Sequence, residues 1–401
     1  MVPLKNRVLI TDGDQRAALA CTRSLGRAGM ECLVLGPRKG NLAGASRFCS
    51  ETLVAPDVMA DPQGFRDLVL QSIRDRELDT LLPITEKSLR ALLPLRGSLP
   101  EVNLPFPTAE VFERVSDKAE VIRKARDLGL AVPRQWEWHS RDSSETEVIP
   151  EDAFPVALKP PISVPTLNLG AGSRKVAYFS SPPDLEGWRG QASEADFPVL
   201  VQERIHGRGA GVFLLLWDQE VRAVVGHQRV REKPPSGGVS VVRESTVVDE
   251  GLLEDSLKLL KGLGWTHGVA MVEFKVREED RVPFLMEING RFWGSLQLAI
   301  DAGVDFPSIL VNCGRNDPPR TLIVGKGGAR TRWLLGDLDH LLLRLFRNRV
   351  ELSLPPSAPG RTRVLLDFFT DFRPGTRLEV LKTSDPLPFL TELRSYFRDL
   401  L

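Results

Sequence analysis

Ala270-Met271-Val272-Glu273-Phe274-Lys275 and Phe284-Leu285-Met286-Glu287-Ile288-Asn289-Gly290-Arg291 are two apolar runs, each broken by a glutamate. The polar stretch between them, which contains Asp280, predicts a hairpin. Asn289 and Arg291 lie two and four residues after Glu287, so in an extended chain all three side chains leave the same face. Two carboxylates and an amide oxygen are hard ligands, suited to a divalent cation such as Mg²⁺ that also holds phosphate oxygens. Arg291 beside them suits a phosphoryl group in transfer or an acyl phosphate. The plainer alternative is a salt-bridged hairpin in which Arg291 neutralises Glu287.

Outward from this pair, the chain changes character several times. The first hundred residues alternate strand and helix patterns: a strand over Arg7–Thr11, a helix over Arg16–Ala28 closed by Gly29, and a strand over Glu31–Leu35. A helix over Pro62–Arg76, a strand over Thr80–Leu82 and a helix over Glu86–Leu93 follow. That order predicts a parallel sheet, whose ligands sit beyond the carboxyl ends of the strands. Thr11, Asp12, Thr85 and Glu86 occupy those ends and are candidate substrate residues, with turn and N-cap roles as the alternative. No GxGxxG follows the first strand, which argues against a dinucleotide.

One helix is expected over Glu110–Leu128. Strands over Val156–Lys159, Val176–Phe179, Val199–Glu203, Val212–Trp217 and Val221–Gly226, with a helix near Pro183–Ala192, suggest a small α+β unit. A Pro/Gly loop runs over Lys233–Gly238. Around it, Arg229, Arg231 and Arg243 could grip carboxylate and phosphate by bidentate bonds or form a solvated charged loop. The helix Leu252–Leu263 precedes the hairpin, and an amphipathic helix over Trp333–Arg349 ends in a basic cluster.

At 401 residues, two or three domains are expected. The 53 basic and 53 acidic residues cancel, which argues against nucleic acid as a partner. Four cysteines without CxxC spacing suggest neither a disulfide framework nor a zinc site. With neither a signal-peptide pattern nor a long apolar run, a soluble cytoplasmic protein is expected. Membrane contact is not expected; the Trp333–Arg349 helix is read as packing its leucines on the protein.

The pattern Glu273…Glu287-Ile288-Asn289-Gly290-Arg291 resembles the closing metal motif of the ATP-grasp superfamily, E…E-x-N-x-R. Lys118, Lys159 within Ala157-Leu158-Lys159-Pro160, and Val201-Gln202-Glu203-Arg204-Ile205 fall into that superfamily's order. More narrowly, Arg229–Gly238, Arg243-Glu244-Ser245 and Arg291-Phe292-Trp293-Gly294-Ser295 resemble carboxylate–amine ligases related to D-aspartate ligase and to carbamoyl phosphate synthase-like proteins. The resemblance covers residues 5–315 or so.

It implies an α/β and α+β multidomain chain, an ATP-grasp fold behind an N-terminal Rossmann-like parallel-sheet domain. The implied divisions are 1–105 (pre-ATP-grasp), 106–155 (linker and start of ATP-grasp), 156–206 (small subdomain), 207–329 (metal-motif subdomain) and 330–401 (helical extension). Lys118 and Lys159 would meet the phosphates of ATP, and Glu203 with the backbone near Ile205 would read the adenine edge. Gly170-Ala171-Gly172-Ser173 would cover the phosphates, with Lys175 adding charge. Glu273, Glu287 and Asn289 would hold Mg²⁺, or Mn²⁺ in its place. Arg291, Arg229 and Arg231 would be catalytic, and Ser236, Gly237, Gly238 and Arg243 would face substrate. The stretch His206–Gly211 lacks the acidic residue that many members use for the ribose hydroxyls, so no ribose contact is assigned.

The implied activity joins a carboxylate to an amine with release of ADP and phosphate, and a homodimer is compatible with it. Two other readings are a bicarbonate-activating enzyme of carbamoyl-phosphate or carboxylating type, and a non-catalytic nucleotide-binding module.

Overall fold

The computed structural model describes residues 6–141, 148–161, 176–355 and 357–400. The chain opens with β1 (Arg7–Ile10), α1 (Arg16–Arg27), β2 (Glu31–Gly36), β3 (Cys49–Val54), α2 (Pro62–Asp75), β4 (Thr80–Leu82) and α3 (Glu86–Leu92). The four strands form a parallel sheet in the order β3-β2-β1-β4. Val8, Leu9 and Ile10 are fully buried, as expected of a strand covered on both faces. Edge strand β3 has no apolar run and is half-exposed, which is why the sequence pattern does not reveal it.

The helix expected over Glu110–Leu128 is two: α4 (Ala109–Ser116) and α5 (Lys118–Asp127). Asp117 leaves the helical region and its carboxylate accepts from the backbone N–H of Ala119 (2.8 Å) and Glu120 (3.1 Å), capping α5. Lys118 therefore opens a helix rather than sitting inside one.

Next come β5 (Gln135–Trp138), β6 (Val156–Lys159), β7 (Ala177–Phe179), α6 (Pro182–Gln191) and β8 (Val199–Glu203). They build an antiparallel sheet, β5-β8-β6-β7, over a separate core around Trp138, Val156, Leu185 and Val199. The expected strands over 212–217 and 221–226 do not join this sheet. They are parts of β9 (Gly207–Trp217) and β10 (Glu220–Lys233), which carries Arg229 and Arg231 and runs into the loop expected at Lys233–Gly238.

The chain continues through β11 (Val239–Thr246), α7 (Glu250–Gly262), β12 (Gly268–Arg277), β13 (Pro283–Asn289), α8 (Leu296–Asp301), α9 (Phe306–Gly314) and β14 (Ile323–Val324). It closes with β15 (Arg330–Arg332), α10 (Leu334–Phe346), α11 (Arg361–Thr370), β16 (Thr376–Leu378) and α12 (Leu387–Leu400). The large sheet runs β13-β12-β9-β10-β11-β15-β16, with β14 beside β10. The segment after residue 329 is thus not purely helical: β15 pairs with β11, and β16 with β15. A strand reading Arg-Thr-Arg escapes an apolar pattern because ion pairs offset its burial. Fully buried Arg332 donates to Asp337 Oδ2 at 2.7 Å and lies over the rings of Phe368 and Phe372 at 4.2 and 4.4 Å.

Leu334, Leu338, Leu341 and Leu345 of α10 pack with Val364 and Phe368 of α11, while Leu342 and Phe346 of the same expected stripe are exposed. The C-terminal segment also reaches back to the first domain, where buried Arg23 donates to Asp385 at 2.8 Å. No helix among the described residues is long and apolar enough to cross a membrane.

Candidate active site

The hairpin predicted from the opening stretch is β12–β13, and its register sets Glu273 opposite Glu287 and Met271 opposite Asn289. The register steps at Glu273/Phe274, where Phe274 pairs with Leu285 and Met286 is skipped. This bulge lies immediately before Glu287, a place where extra residues commonly re-aim a functional side chain. On β12 the alternation Met271, Glu273, Lys275 delivers three side chains to one cleft.

The carboxylates sit among cations. Lys118 Nζ is 3.8 Å from Glu287 Oε2, and Asn289 Nδ2 donates to Glu287 Oε1 at 3.2 Å. Arg229 donates to Glu273, and also to Glu232 Oε1 (2.7 Å) and the carbonyl of Gly238 (2.8 Å). Lys159 Nζ donates to Gln202 Oε1 at 2.6 Å. Arg291 gives its Nη1 to the carbonyl of Phe292 at 3.0 Å, so the ion partner of Glu287 is Lys118.

Burial pushes the Glu273 carboxyl above the ordinary range, and the charge of Glu287 adds to it against Arg229. Burial acts on Glu287 in the same direction, but Lys118, Lys159 and the Asn289 hydrogen bond outweigh it and hold Glu287 low. Lys159 is pushed down to about 8, chiefly by burial, with Glu287 opposing.

These groups fit a divalent cation. Two carboxylates crowd one face of the cleft, and burial together with the charge of Glu287 drives Glu273 toward its neutral form against Arg229. With Asn289 donating through Nδ2, its oxygen remains a hard donor. Among the described residues no three His, Cys, Asp or Glu side chains form a complete cage. An incomplete set suits Mg²⁺, which takes few protein ligands and keeps phosphate and water oxygens.

A cleft of about 380 Å³ lies over this face, between the small sheet and the large one. Lys159, Glu203, Ile205, Arg229, Gly237, Gly238, Arg243, Glu273, Glu287, Asn289 and Arg291 all line it. A crevice behind the hairpin holds Lys118 and Glu86 and shares Glu287, Asn289 and Arg291. Glu203 lines the cleft with its carboxylate also held by Arg134 Nε at 3.1 Å.

Other expected site residues stand elsewhere. Arg231 turns to the C-terminal segment and donates to both oxygens of Asp337 (2.7 and 2.8 Å) and to Asp371 (2.5 Å). The reason is a second bulge: β10 pairs Arg229 with Arg243 but Arg231 with Val242, so the two arginines part. Ser236 offers its carbonyl to Arg204 at 3.3 Å. Asp12 is consumed at the junction of its turn with the start of α3, accepting from Thr85 Oγ1 (2.9 Å), from Ser88 Oγ (2.7 Å) and from Thr11 Oγ1 (2.5 Å), while Thr85 caps α3. Thr11, Asp12 and Thr85 line neither the cleft nor the crevice. Gly170, Ala171, Gly172, Ser173 and Lys175 lie outside the described residues.

The cleft also contains residues that the sequence reading passed over. Lys275 was legible from its spacing of two after Glu273. Tyr178 and His227 were not, because single aromatic residues within strands read as core, and Trp293 stood in the Arg291–Ser295 motif without a role of its own. His227 and Trp293 flank Phe213, with ring centroids at 4.1 and 4.3 Å. Burial, helped by Arg229 and Arg243, pushes His227 down to about 3 and keeps the imidazole neutral.

Residues 196–334 match the family model described as "ATP-grasp in the biosynthetic pathway with Ter operon". No curated protein matches the sequence. Among solved structures, an L-amino acid ligase from Bacillus licheniformis is 17% identical with a TM-score of 0.60, over 77% of this chain and 74% of that one. An N5-carboxyaminoimidazole synthetase from Staphylococcus aureus is 13% identical with a TM-score of 0.61, over 86% of each chain. The biotin carboxylase domain of the Hydrogenobacter thermophilus 2-oxoglutarate carboxylase, solved with MgADP and bicarbonate, is 13% identical with a TM-score of 0.61, over 81% and 73%. At such identities the likeness is one of fold. The segment that matches the ATP-grasp model contains the β12–β13 hairpin, and most of the chain shares its fold with these solved structures.

Proposed function

We propose that the protein is an ATP-dependent ligase that forms an amide from a carboxylate and an amine through an acyl phosphate. The observation that carries this reading is the hairpin face, where Glu273, Glu287, Asn289 and Arg291 line one cleft with Lys159. A nucleotide-binding module has no need of two opposed carboxylates facing one cleft.

In the first step a carboxylate oxygen of the acid attacks the γ-phosphorus. The bond from phosphorus to the β,γ-bridging oxygen breaks, and ADP departs. The amine nitrogen then attacks the acyl carbon, the carbon–oxygen bond to phosphate breaks, and phosphate leaves. The proton lost by the amine passes to phosphate or water. Lys118 and Lys159 hold phosphate oxygens in line, and Arg291 steadies the equatorial charge of the transferring group. Glu273, Glu287 and Asn289 would hold Mg²⁺, whose contribution is to neutralise phosphate charge. Glu203 and the backbone at Ile205 face the base. Arg229 orients Glu273 and opposes its protonation rather than touching substrate.

The test is ADP release from ATP with pooled organic acids, amino acids and amines, in bicarbonate-free buffer and again with bicarbonate. Release that needs both an acid and an amine supports the ligase. Release that needs only bicarbonate supports the carboxylating rival, and none under any condition leaves a binding module.

A further inference from the structure

Past Arg291 the cleft wall continues through Trp293, Gly294 and Ser295 and meets Arg243. Arg243 is fully buried; its Nη1 donates to the carbonyl of Ser240 at 2.8 Å, and its Nη2 lies 2.5 Å from Glu379 Oε2. Arg16, at the start of α1, donates to the same Glu379 oxygen at 2.5 Å. A Cβ built on Gly294 would stand 3.2 Å from Arg16 Nη2, so this guanidinium reaches the same wall. Two guanidinium groups from different domains therefore share one carboxylate.

The surrounding acids do not supply the missing charge. Asp301 is engaged by Arg377 at 3.3 Å and Lys382 at 3.9 Å. Glu392 accepts from the Trp333 indole at 2.7 Å, and burial pushes its pKa up to about 7. Glu232 and Glu273 are taken by Arg229. Among the described residues, Arg243 Nε and Trp293 Nε1 are buried donors without a partner, and the second oxygen of Glu379 is a buried acceptor without one. A buried positive charge beside unfilled donors is costly unless an anion completes it.

We propose that this end of the cleft binds a second anionic group on the acid that is activated, so that the substrate is a dicarboxylate, acidic amino acids included. One carboxylate rests on Arg243 and Arg16, while the other is presented to Arg291 and the Glu273–Glu287 hairpin. The inference rests on the ligase reading and names its substrate class. Glu379 is then a positioning residue that holds both guanidinium groups at the wall. It comes from the C-terminal segment, so that segment completes the site.

The experiment compares succinate, glutarate, aspartate and glutamate with butyrate, valerate, 2-aminobutyrate and norvaline. ADP release with pooled amines is read alongside calorimetric binding of each acid to the full chain without ATP. Dicarboxylates should bind and turn over with KM at least tenfold lower. Because loss of Arg243 strands Glu379 in the core, the gentler variant is Gly294→Val, which crowds Arg16 and should weaken dicarboxylate binding at least tenfold. Equal KM for both acid classes overturns the subsite and leaves the ligase standing. Dicarboxylate binding that Gly294→Val abolishes, without ADP release from any acid, keeps the subsite and removes the ligase. Neither binding nor release removes both.

Discussion

At the scale of single residues, the two glutamates of the hairpin are chemically unequal although they face each other. Glu287 is held ionised by Lys118 and Lys159, whereas burial leaves Glu273 dependent on Arg229. Glu287→Gln keeps the shape and the Asn289 contact but removes the charge that these lysines balance. Turnover is expected to fall at least about 100-fold, the scale of losing one electrostatic contact to a transition state. Circular dichroism and ATP binding should change little. Turnover within a few-fold of the parent would remove Glu287 from the chemistry. This contrast between the pair was not legible in the sequence, where spacing gave the shared face but not the neighbours. Arg229 and Arg231 make the same point: alternate positions in a strand suggest one face, and a bulge that spacing does not reveal sends Arg231 to Asp337 and Asp371.

Among the elements, those with strict period two or a continuous apolar run were readable, and those stabilised by charge were not. The hairpin, Thr80–Leu82 and Val199–Glu203 lie where alternation and apolar runs put them. Strand β15 was hidden because its arginines are satisfied by acids on other elements, Arg332 by Asp337 and Arg330 by Asp371. The break between α4 and α5 was hidden because Val115 and Ala119 are four residues apart and continue one apolar stripe across it. What ends α4 is Asp117, and the local change has a functional reach because Lys118 follows it. Asp117→Ala removes two backbone caps and should cost about 1 kcal/mol in urea unfolding. With its first turn frayed, α5 should hold Lys118 less well against Glu287, raising KM for ATP several-fold. Asp117→Ser, which can still cap, should restore both quantities; no difference between the two variants would place the helix break outside the nucleotide's concerns.

Across the whole molecule, the segment after residue 329 acts as a brace tying the first domain to the large sheet. Arg23 with Asp385, Arg16 with Glu379 and Arg231 with Asp337 are all largely buried ion pairs spanning distant parts of the chain. Breaking one partner of such a pair leaves an uncompensated buried charge, so the brace is specific rather than merely adhesive. Its titration is set by Glu392, which joins α12 to Trp333, the residue on whose ring Arg16 lies at 3.9 Å. Burial raises Glu392 from the ordinary 4.5 to about 7, against the Trp333 hydrogen bond. Between those values the folded chain keeps a proton that the unfolded chain has lost. The contribution of Glu392 to stability therefore falls as pH rises from 4.5 toward 7 and levels off above it. Glu392→Gln keeps an oxygen acceptor for the indole and removes the ionisation. The variant should be more stable than the parent at pH 8 by about 3 kcal/mol, with the gap closing as pH approaches 5. Urea unfolding of both proteins at pH 5, 6 and 8 reads this directly. A gap that stays constant across the series would mean that Glu392 is ionised in the folded brace, supplying the negative charge that Arg16 and Arg243 otherwise lack.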